Sequence, residues 1–151
     1  MERLSSSLNR LPSDIMASIF SKIIAGEIPS YKIAENDLFY AFLDVFPLVH
    51  GHTLVVPKRE VDYIFDMNET ELSGILSFSQ PIAKAIESAF PCERCGIAVV
   101  GLEVPHAHVH LVPINHADDL NFTRTKLKIS PTELLEAQTK ILSKLESNAT
   151  Q

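Results

Sequence analysis

The segment EVPHAHVHLVP, residues 103–113, alternates polar and apolar side chains and constrains the fold more than any other part of the sequence. Histidine occupies every second position of this segment, at His106, His108 and His110. The residues that follow the histidines are apolar: Ala107, Val109 and Leu111. A period of two residues is that of a β-strand, whose successive side chains point to opposite faces. The segment therefore predicts a strand with one histidine face and one apolar face that packs on the core.

The histidine face has three interpretations that the residues alone leave open. The first is a structural or solvent-facing cluster. The second is a metal site, but same-face neighbours on a strand lie roughly 6–7 Å apart and the outer pair about 13 Å apart, so carboxylates or cysteines from elsewhere would have to complete it. The third is anion chemistry, in which one neutral imidazole attacks phosphorus and its neighbours hold the developing negative charge.

The order of hydrophobic patterns predicts an α+β fold. The stretch SIFSKIIAGEIP has helical spacing and stops at Gly26. Two β-type runs, YKIAEN and LFYAFLDV, flank the turn residues Asn36 and Asp37, and the buried run HTLVVP follows. A long helix, the β-type runs GIAVVGL and HAHVHLVP, and a last helix complete the order. Three successive strands with short connections favour a five-stranded, mainly antiparallel sheet with helices.

Capping residues mark the two longer helices. Asn68 precedes the run ETELSGILSFSQPIAKAIESAF and has Glu71 three residues later, which is the spacing of a capping box. Pro81 lies inside this run and is predicted to kink the helix. Ser130 and Glu133 form a second box, with proline at the first helical position. These signals fix where both helices begin.

Composition excludes several classes of function. The chain has 151 residues, 46% of them hydrophobic, and a formal net charge of −6. These values indicate one globular domain and argue against binding a nucleic-acid polymer through its phosphates. No apolar run approaches the length of a membrane span, so no membrane association is predicted. Residues 1–16 lack the apolar stretch of an export signal, and we predict a flexible N-terminal extension before a single domain, residues 17–151, in a cytoplasmic protein.

Two cysteines stand close together in the segment PCERCG, at Cys92 and Cys95. Two ligands are too few for a structural zinc site. A redox pair of this spacing opens a helix after a strand, whereas this pair follows a helix and precedes a strand. We therefore predict two reduced thiols in a loop.

The sequence HAHVHLV resembles the signature of the histidine-triad nucleotide-binding family. SIFSKIIAGEIP is similar to the opening helix of that family, and AFLDVFPLVHGHTLVVPKREV is similar to its central hairpin and strand, with Asp44 and His52 in place. The likeness covers roughly residues 17 to 115 and preserves the order and spacing of the elements. It implies the histidine-triad fold and a nucleotide substrate.

The resemblance implies a mechanism that needs neither metal nor cofactor. His108 would attack the α-phosphorus of a nucleotide and form a covalent nucleotidyl-histidine, which water later hydrolyses. His110 would bind the phosphate oxygens as they gain charge, and His52 would add a second cationic donor beside the same phosphate. His106 would orient His108 by fixing which ring nitrogen carries the proton.

The same resemblance implies a nucleoside pocket. Phe20, Ile23 and Phe42 would enclose the base, Asp44 would accept hydrogen bonds from the ribose hydroxyls, and Val45 would complete the nucleotide-binding residues. From the residues alone, the three apolar side chains are typical of a plain core, and Asp44 is typical of a turn residue. The resemblance raises these residues to candidates.

The resemblance fails just before the triad. Family members usually carry a longer polar loop there, with an amide side chain at the position of Leu102 and a hydroxyl at the position of Glu103. Glu103 is therefore a candidate contact for the leaving group, with a surface salt bridge as the alternative. We predict a purine nucleoside phosphoramidase that forms a homodimer. A dinucleoside polyphosphate hydrolase and a non-catalytic nucleotide-binding or scaffold protein remain as alternatives.

Overall fold

Three α-helices and five β-strands make up the computed structural model, which describes residues 17–150. The helices are α1 Ile19–Ile24, α2 Glu69–Ala89 and α3 Pro131–Ala149. The strands are β1 Lys32–Glu35, β2 Phe39–Leu43, β3 Thr53–Pro57, β4 Arg94–Ala98 and β5 Val109–Ile114. Short 3₁₀ helices span Ile64–Asp66 and Ala117–Leu120. The predicted extension of residues 1–16 lies outside the described residues.

The five strands form one sheet in the order β1-β2-β3-β5-β4, and every neighbouring pair is antiparallel. This arrangement confirms the predicted α+β class. The register places His110 of β5 opposite Leu54 of β3 on one side and opposite Ala98 of β4 on the other. The last histidine of the triad therefore lies on an interior strand, which is held by hydrogen bonds from both sides.

The predicted capping boxes are both present. The Asn68 side chain accepts from the Glu71 N–H while the Glu71 side chain accepts from the Asn68 N–H, and Ser130 and Glu133 do the same at α3. The α2 helix runs through Pro81 and buries Ile75, Ile82, Ala85 and Ile86 against the sheet. These apolar side chains form one core cluster with the alternate residues of the triad segment, Ala107, Val109 and Leu111.

Two strand boundaries differ from the predictions. The strand β5 begins at Val109, so His106 and His108 precede it. The backbone leaves the ladder there because the Ala107 N–H donates to the Val61 carbonyl, beyond the end of β3. The histidine and apolar faces nevertheless persist, since Ala107 still packs in the core. The predicted strand GIAVVGL is also displaced, because β4 ends at Ala98, opposite His110.

The predicted loop position of the two cysteines also differs from the structure. Both thiols are free, but Cys95 lies on β4, opposite Pro113 of β5, and only Cys92 precedes the strand. Burial, followed by the nearby Glu87 carboxylate, raises the pKa of Cys95 to about 12. A thiol with so high a pKa carries almost no thiolate at neutral pH, which makes it a poor nucleophile.

Among residues 17–150, no helix is long and apolar enough to cross a membrane.

Candidate active site

Four histidine side chains gather under one end of the sheet. His52 directly precedes β3, and the triad segment supplies His106, His108 and His110. All four are buried. The ring centroids of His108 and His110 are 4.8 Å apart, and those of His52 and His110 are 5.1 Å apart. The predicted catalytic histidines therefore form one contiguous cluster.

The protonated nitrogen of His106 follows from its backbone partner. His106 Nε2 lies 2.7 Å from the Pro57 carbonyl oxygen, which can only accept, so Nε2 carries the proton. The ring is neutral, because burial lowers its pKa below the ordinary value. His106 Nδ1 therefore accepts a hydrogen bond, and the Ser18 hydroxyl, 2.8 Å away, donates it. His106 is thus held at both ring nitrogens.

His106 in turn fixes His108 through its main chain. His108 Nδ1 lies 2.7 Å from the His106 carbonyl oxygen and must donate to it. Burial lowers the pKa of His108 below 6.5, so the ring is neutral and its lone pair is on Nε2. That nitrogen has no hydrogen-bond partner among the described residues. The arrangement presents His108 Nε2 as a free nucleophilic atom.

A second chain of hydrogen bonds runs through His52 to His110. The Leu48 N–H donates to His52 Nδ1 over 3.0 Å, so the proton of neutral His52 is on Nε2. His52 Nε2 donates to His110 Nδ1 over 2.9 Å. The proton of neutral His110 is therefore on Nε2, where it can be offered to a phosphate oxygen. Backbone geometry thus makes His108 a lone-pair donor and His110 a hydrogen-bond donor.

The electrostatics correct the expectation for His52. The pKa of both His52 and His110 is lowered to about 3, chiefly by burial, and the Lys126 ammonium contributes in the same direction. His52 was expected as a second cationic donor beside the phosphate. It is neutral, and its N–H is engaged by His110, so its action is to orient His110.

Asp44, His52 and His110 also present ligand atoms within 4.8 Å of one another, which raises the possibility of a metal ion. The hydrogen bonds argue against it. His52 Nδ1 already accepts from the Leu48 N–H, so Nε2 holds the only proton of the neutral ring. A metal on Nε2 would require an imidazolate or the loss of that backbone bond. The three residues fit a hydrogen-bonded relay and fit a metal ion poorly.

A cavity of about 390 Å³ lies beside this cluster. Its lining includes all five predicted nucleotide-binding residues: Phe20, Ile23, Phe42, Asp44 and Val45. Phe20 and Phe42 pack edge to face, with ring centroids 5.4 Å apart, and both are also buried core residues. Phe20 and Phe42 are therefore both core residues and cavity-lining residues, so the two interpretations of these rings are compatible.

Asp44 combines a turn role with a place in the cavity wall. Its Oδ1 accepts from the Phe46 N–H over 2.9 Å, while Oδ2 lies 3.7 Å from His52 Nε2. Burial raises its pKa to about 6. Asp44 Oδ2 is thus the atom available to a hydroxyl group of a ligand.

A second cavity, of about 270 Å³, opens on the other side of the histidines. The two cavities share five lining residues: Asp44, Glu103, His108, His110 and Lys126. Glu103 is exposed at this junction and forms no ion pair with any residue in the described range 17–150. The structure therefore places Glu103 beside the proposed nucleophile and does not show the alternative surface salt bridge.

Several residues at the site were missed from the sequence. Ser18 caps α1 and donates to His106, and its N–H donates to the Glu60 carboxylate, which also accepts from the Ser21 hydroxyl. A serine before a helical run signals a cap, but its second role depends on a contact 88 residues away. Phe122 and Lys126 come from an irregular segment after β5, where no local pattern marks them.

Comparisons with known proteins were consistent with this geometry. The family model described as the HIT domain matches residues 25–117. An uncharacterized HIT-like protein of Borreliella burgdorferi is 35% identical over 131 residues, which cover 82% of this chain and 94% of that protein. The adenosine 5'-monophosphoramidase hnt1 of Schizosaccharomyces pombe is 33% identical over 134 residues, covering 87% and 100%. The crystal structure of a Hit-like protein involved in cell-cycle regulation from Bartonella henselae is similar with a TM-score of 0.75 at 29% identity, covering 85% of this chain and 96% of that one.

Proposed function

The chain belongs to the HIT domain family, and on that premise we propose that it hydrolyses purine nucleoside phosphoramidates. The observation that carries the proposal is the free Nε2 of His108 at the junction of two cavities, one of them lined by a nucleoside-type set of residues. The choice of substrate is supported by the Schizosaccharomyces pombe relative, which is named an adenosine 5'-monophosphoramidase.

In the first step, His108 Nε2 bonds to the α-phosphorus and the phosphorus–nitrogen bond breaks. The bonding electron pair stays on the leaving amine, which takes up a proton. His108 becomes positively charged, and its Nδ1–H continues to donate to the His106 carbonyl. In the second step, water attacks phosphorus and releases a proton to the solvent, the phosphorus–His108 bond breaks with its electron pair returning to Nε2, and the nucleoside monophosphate leaves. The neutral imidazole is restored.

His110 stabilises the phosphate during both steps. Its Nε2–H donates to a non-bridging oxygen, whose negative charge grows in the transition state. The chain from the Leu48 N–H through His52 keeps the His110 proton on that nitrogen. His52 and His106 are therefore positioning residues, each acting through a neighbouring histidine.

Glu103 is proposed as the leaving-group contact. It replaces the hydroxyl that relatives usually carry, it lines both cavities, and it stands beside His108. A protonated carboxyl at this point can give its proton to the departing amine, and an ionised one can bind the ammonium that results. Since the nucleoside would fill the 390 Å³ cavity, the amine is proposed to lie in the 270 Å³ cavity.

The experiment is turnover of adenosine 5'-phosphoramidate by the wild type and by His108→Ala. The variant should lose at least several hundred-fold of kcat/KM while the affinity for AMP stays close to that of the wild type, because the change removes the nucleophile and not the pocket. Wild-type protein that binds AMP without turnover would instead support the non-catalytic binding protein.

We also propose a homodimer. Strand β4 lies at an edge of the sheet and packs against α2, and both expose large apolar side chains on the accessible side: Leu72, Leu76 and Ile97. An open strand edge beside an apolar helix face favours two-fold pairing with a second copy. The resemblance to the histidine-triad family implies pairing through the long helix, residues 68–90, and the strand from Gly96, which are these same elements.

A further inference from the structure

Lys126 is presented by a segment that is fastened on both sides. The Leu127 N–H donates to the Pro47 carbonyl oxygen over 2.9 Å, which ties the segment to the loop that carries Asp44. On the other side, the Asn121 side chain accepts from both the N–H and the hydroxyl of Thr123. The Lys126 side chain therefore starts from a fixed point beside the nucleotide cavity.

Among residues 17–150 the ammonium of Lys126 forms no ion pair, although its charge acts on the Asp44 carboxylate, whose pKa is raised chiefly by burial and lowered in part by Lys126. Its Nζ donates to the Phe122 carbonyl oxygen over 2.8 Å and lies 5.4 Å from the centroid of the Phe122 ring. That ring is 4.5 Å from the ring of His110. No carboxylate in the described residues 17–150 lies within ion-pair distance of Nζ.

Without Lys126, the charges where the two cavities meet would disfavour the binding of a phosphate. Asp44 and Glu103 contribute carboxylates, and His52 and His110 are neutral. In the part of the chain that the structure describes, Lys126 is the one lysine or arginine that lines either cavity. The two basic residues that follow β3 are engaged elsewhere, since Lys58 pairs with Glu35 and Arg59 with Glu71.

We propose that Lys126 is the phosphate-binding cation of this site. When a nucleotide enters, the ammonium turns from the Phe122 carbonyl to a non-bridging oxygen of the α-phosphate. Two carboxylates and neutral imidazoles cannot by themselves offset a phosphate charge, and a lysine ammonium on a flexible stem can. The inference deepens the proposed function, because it rests on the α-phosphate lying at the junction.

The test compares AMP with adenosine as probes, using titration calorimetry on the full chain. The two ligands differ only in the phosphate, so the ratio of their affinities reports on phosphate binding. Lys126→Met should lower AMP affinity at least about tenfold and leave adenosine affinity unchanged, since the loss of one charge-assisted hydrogen bond has that magnitude. Lys126→Arg should keep most of the ratio.

Lys128→Met is the matched control, since it removes an exposed positive charge two residues away and should behave as the wild type. An unchanged ratio in Lys126→Met, or equal losses for AMP and adenosine, would overturn the proposal. Turnover of adenosine 5'-phosphoramidate is measured on the same proteins. A wild type that prefers AMP through Lys126 but has no turnover would refute the hydrolase and leave the phosphate-binding role standing.

Discussion

At the scale of single residues, main-chain groups decide what each histidine can do. The Pro57 and His106 carbonyls and the Leu48 N–H each have one fixed hydrogen-bonding character, and the four rings follow from them. Under the proposed function, four side chains of the same type thereby serve as a nucleophile, a hydrogen-bond donor and two positioning residues. Residue type alone would give them equal roles.

The pH dependence of catalysis follows from the lowered pKa of His108. Burial moves this pKa below 6.5, so the lone pair on Nε2 is available above the folded value and is lost to a proton as the pH falls through it. We expect the acid limb of kcat/KM to lie below pH 6.5, for a substrate that does not itself titrate there. Replacement of the exposed His50 by Gln should leave the limb in place. A limb at or above pH 6.5 would contradict this account.

At the scale of elements, the short helix α1 connects the 390 Å³ cavity, the proposed nucleoside site, to the buried histidines. It has six residues, too few to be stable alone, and it carries Phe20 on its buried face. Its cap residue Ser18 also holds His106, and Glu60 holds the Ser18 N–H. The proposed binding of a base against Phe20 and the orientation of His106 therefore depend on the same element.

Two variants that remove a helix N-cap distinguish the effect of Ser18 on His106 from its effect on helix stability. Ser18→Ala and Ser130→Ala each remove an N-cap, so each should lower the free energy of unfolding by about 1 kcal/mol. Only Ser18→Ala removes the donor to His106 Nδ1, and only this variant should lower kcat. Urea denaturation and steady-state kinetics measure the two effects. Equal kcat values for both variants would show that the Ser18 hydroxyl does not position His106.

Local sequence signals predicted which helices and strands form better than they predicted the residues at which each begins and ends. The capping pairs and the Asn36–Asp37 turn lie within a few residues of one another, so the sequence alone could identify them. The start of β5 could not be predicted, because it depends on a bond from Ala107 to Val61 across the fold.

At the scale of the whole molecule, the residues of the site also divide into those that the sequence reveals and those that only tertiary contacts reveal. The triad histidines were singled out because they alternate along the sequence, and His52 and the proposed nucleoside residues because of a resemblance. Lys126 and Glu60 could not be found that way, since each reaches the site from an irregular segment through tertiary contacts. The neutral state of His52 also depends on burial by the complete fold.

Assembly offers a test of the exposed apolar face. We expect the wild type to be a dimer at micromolar concentration by light scattering, and Leu76→Glu to shift it towards monomer, because a charge would be buried at the α2 and β4 surface. Leu135→Glu, at an exposed position on α3, should remain dimeric. A monomeric wild type, or dissociation of both variants alike, would contradict the proposed interface.

The central claim is a covalent bond between His108 and the nucleotide. The most direct measurement is intact-protein mass spectrometry after brief mixing with adenosine 5'-phosphoramidate and quenching in alkaline denaturant, since such phosphorus–nitrogen bonds are acid-labile. The account predicts a mass increase of one adenylyl group, located by peptide mapping on His108 and absent from His108→Ala. Turnover by the wild type without any adduct, or an adduct on another residue, would contradict it.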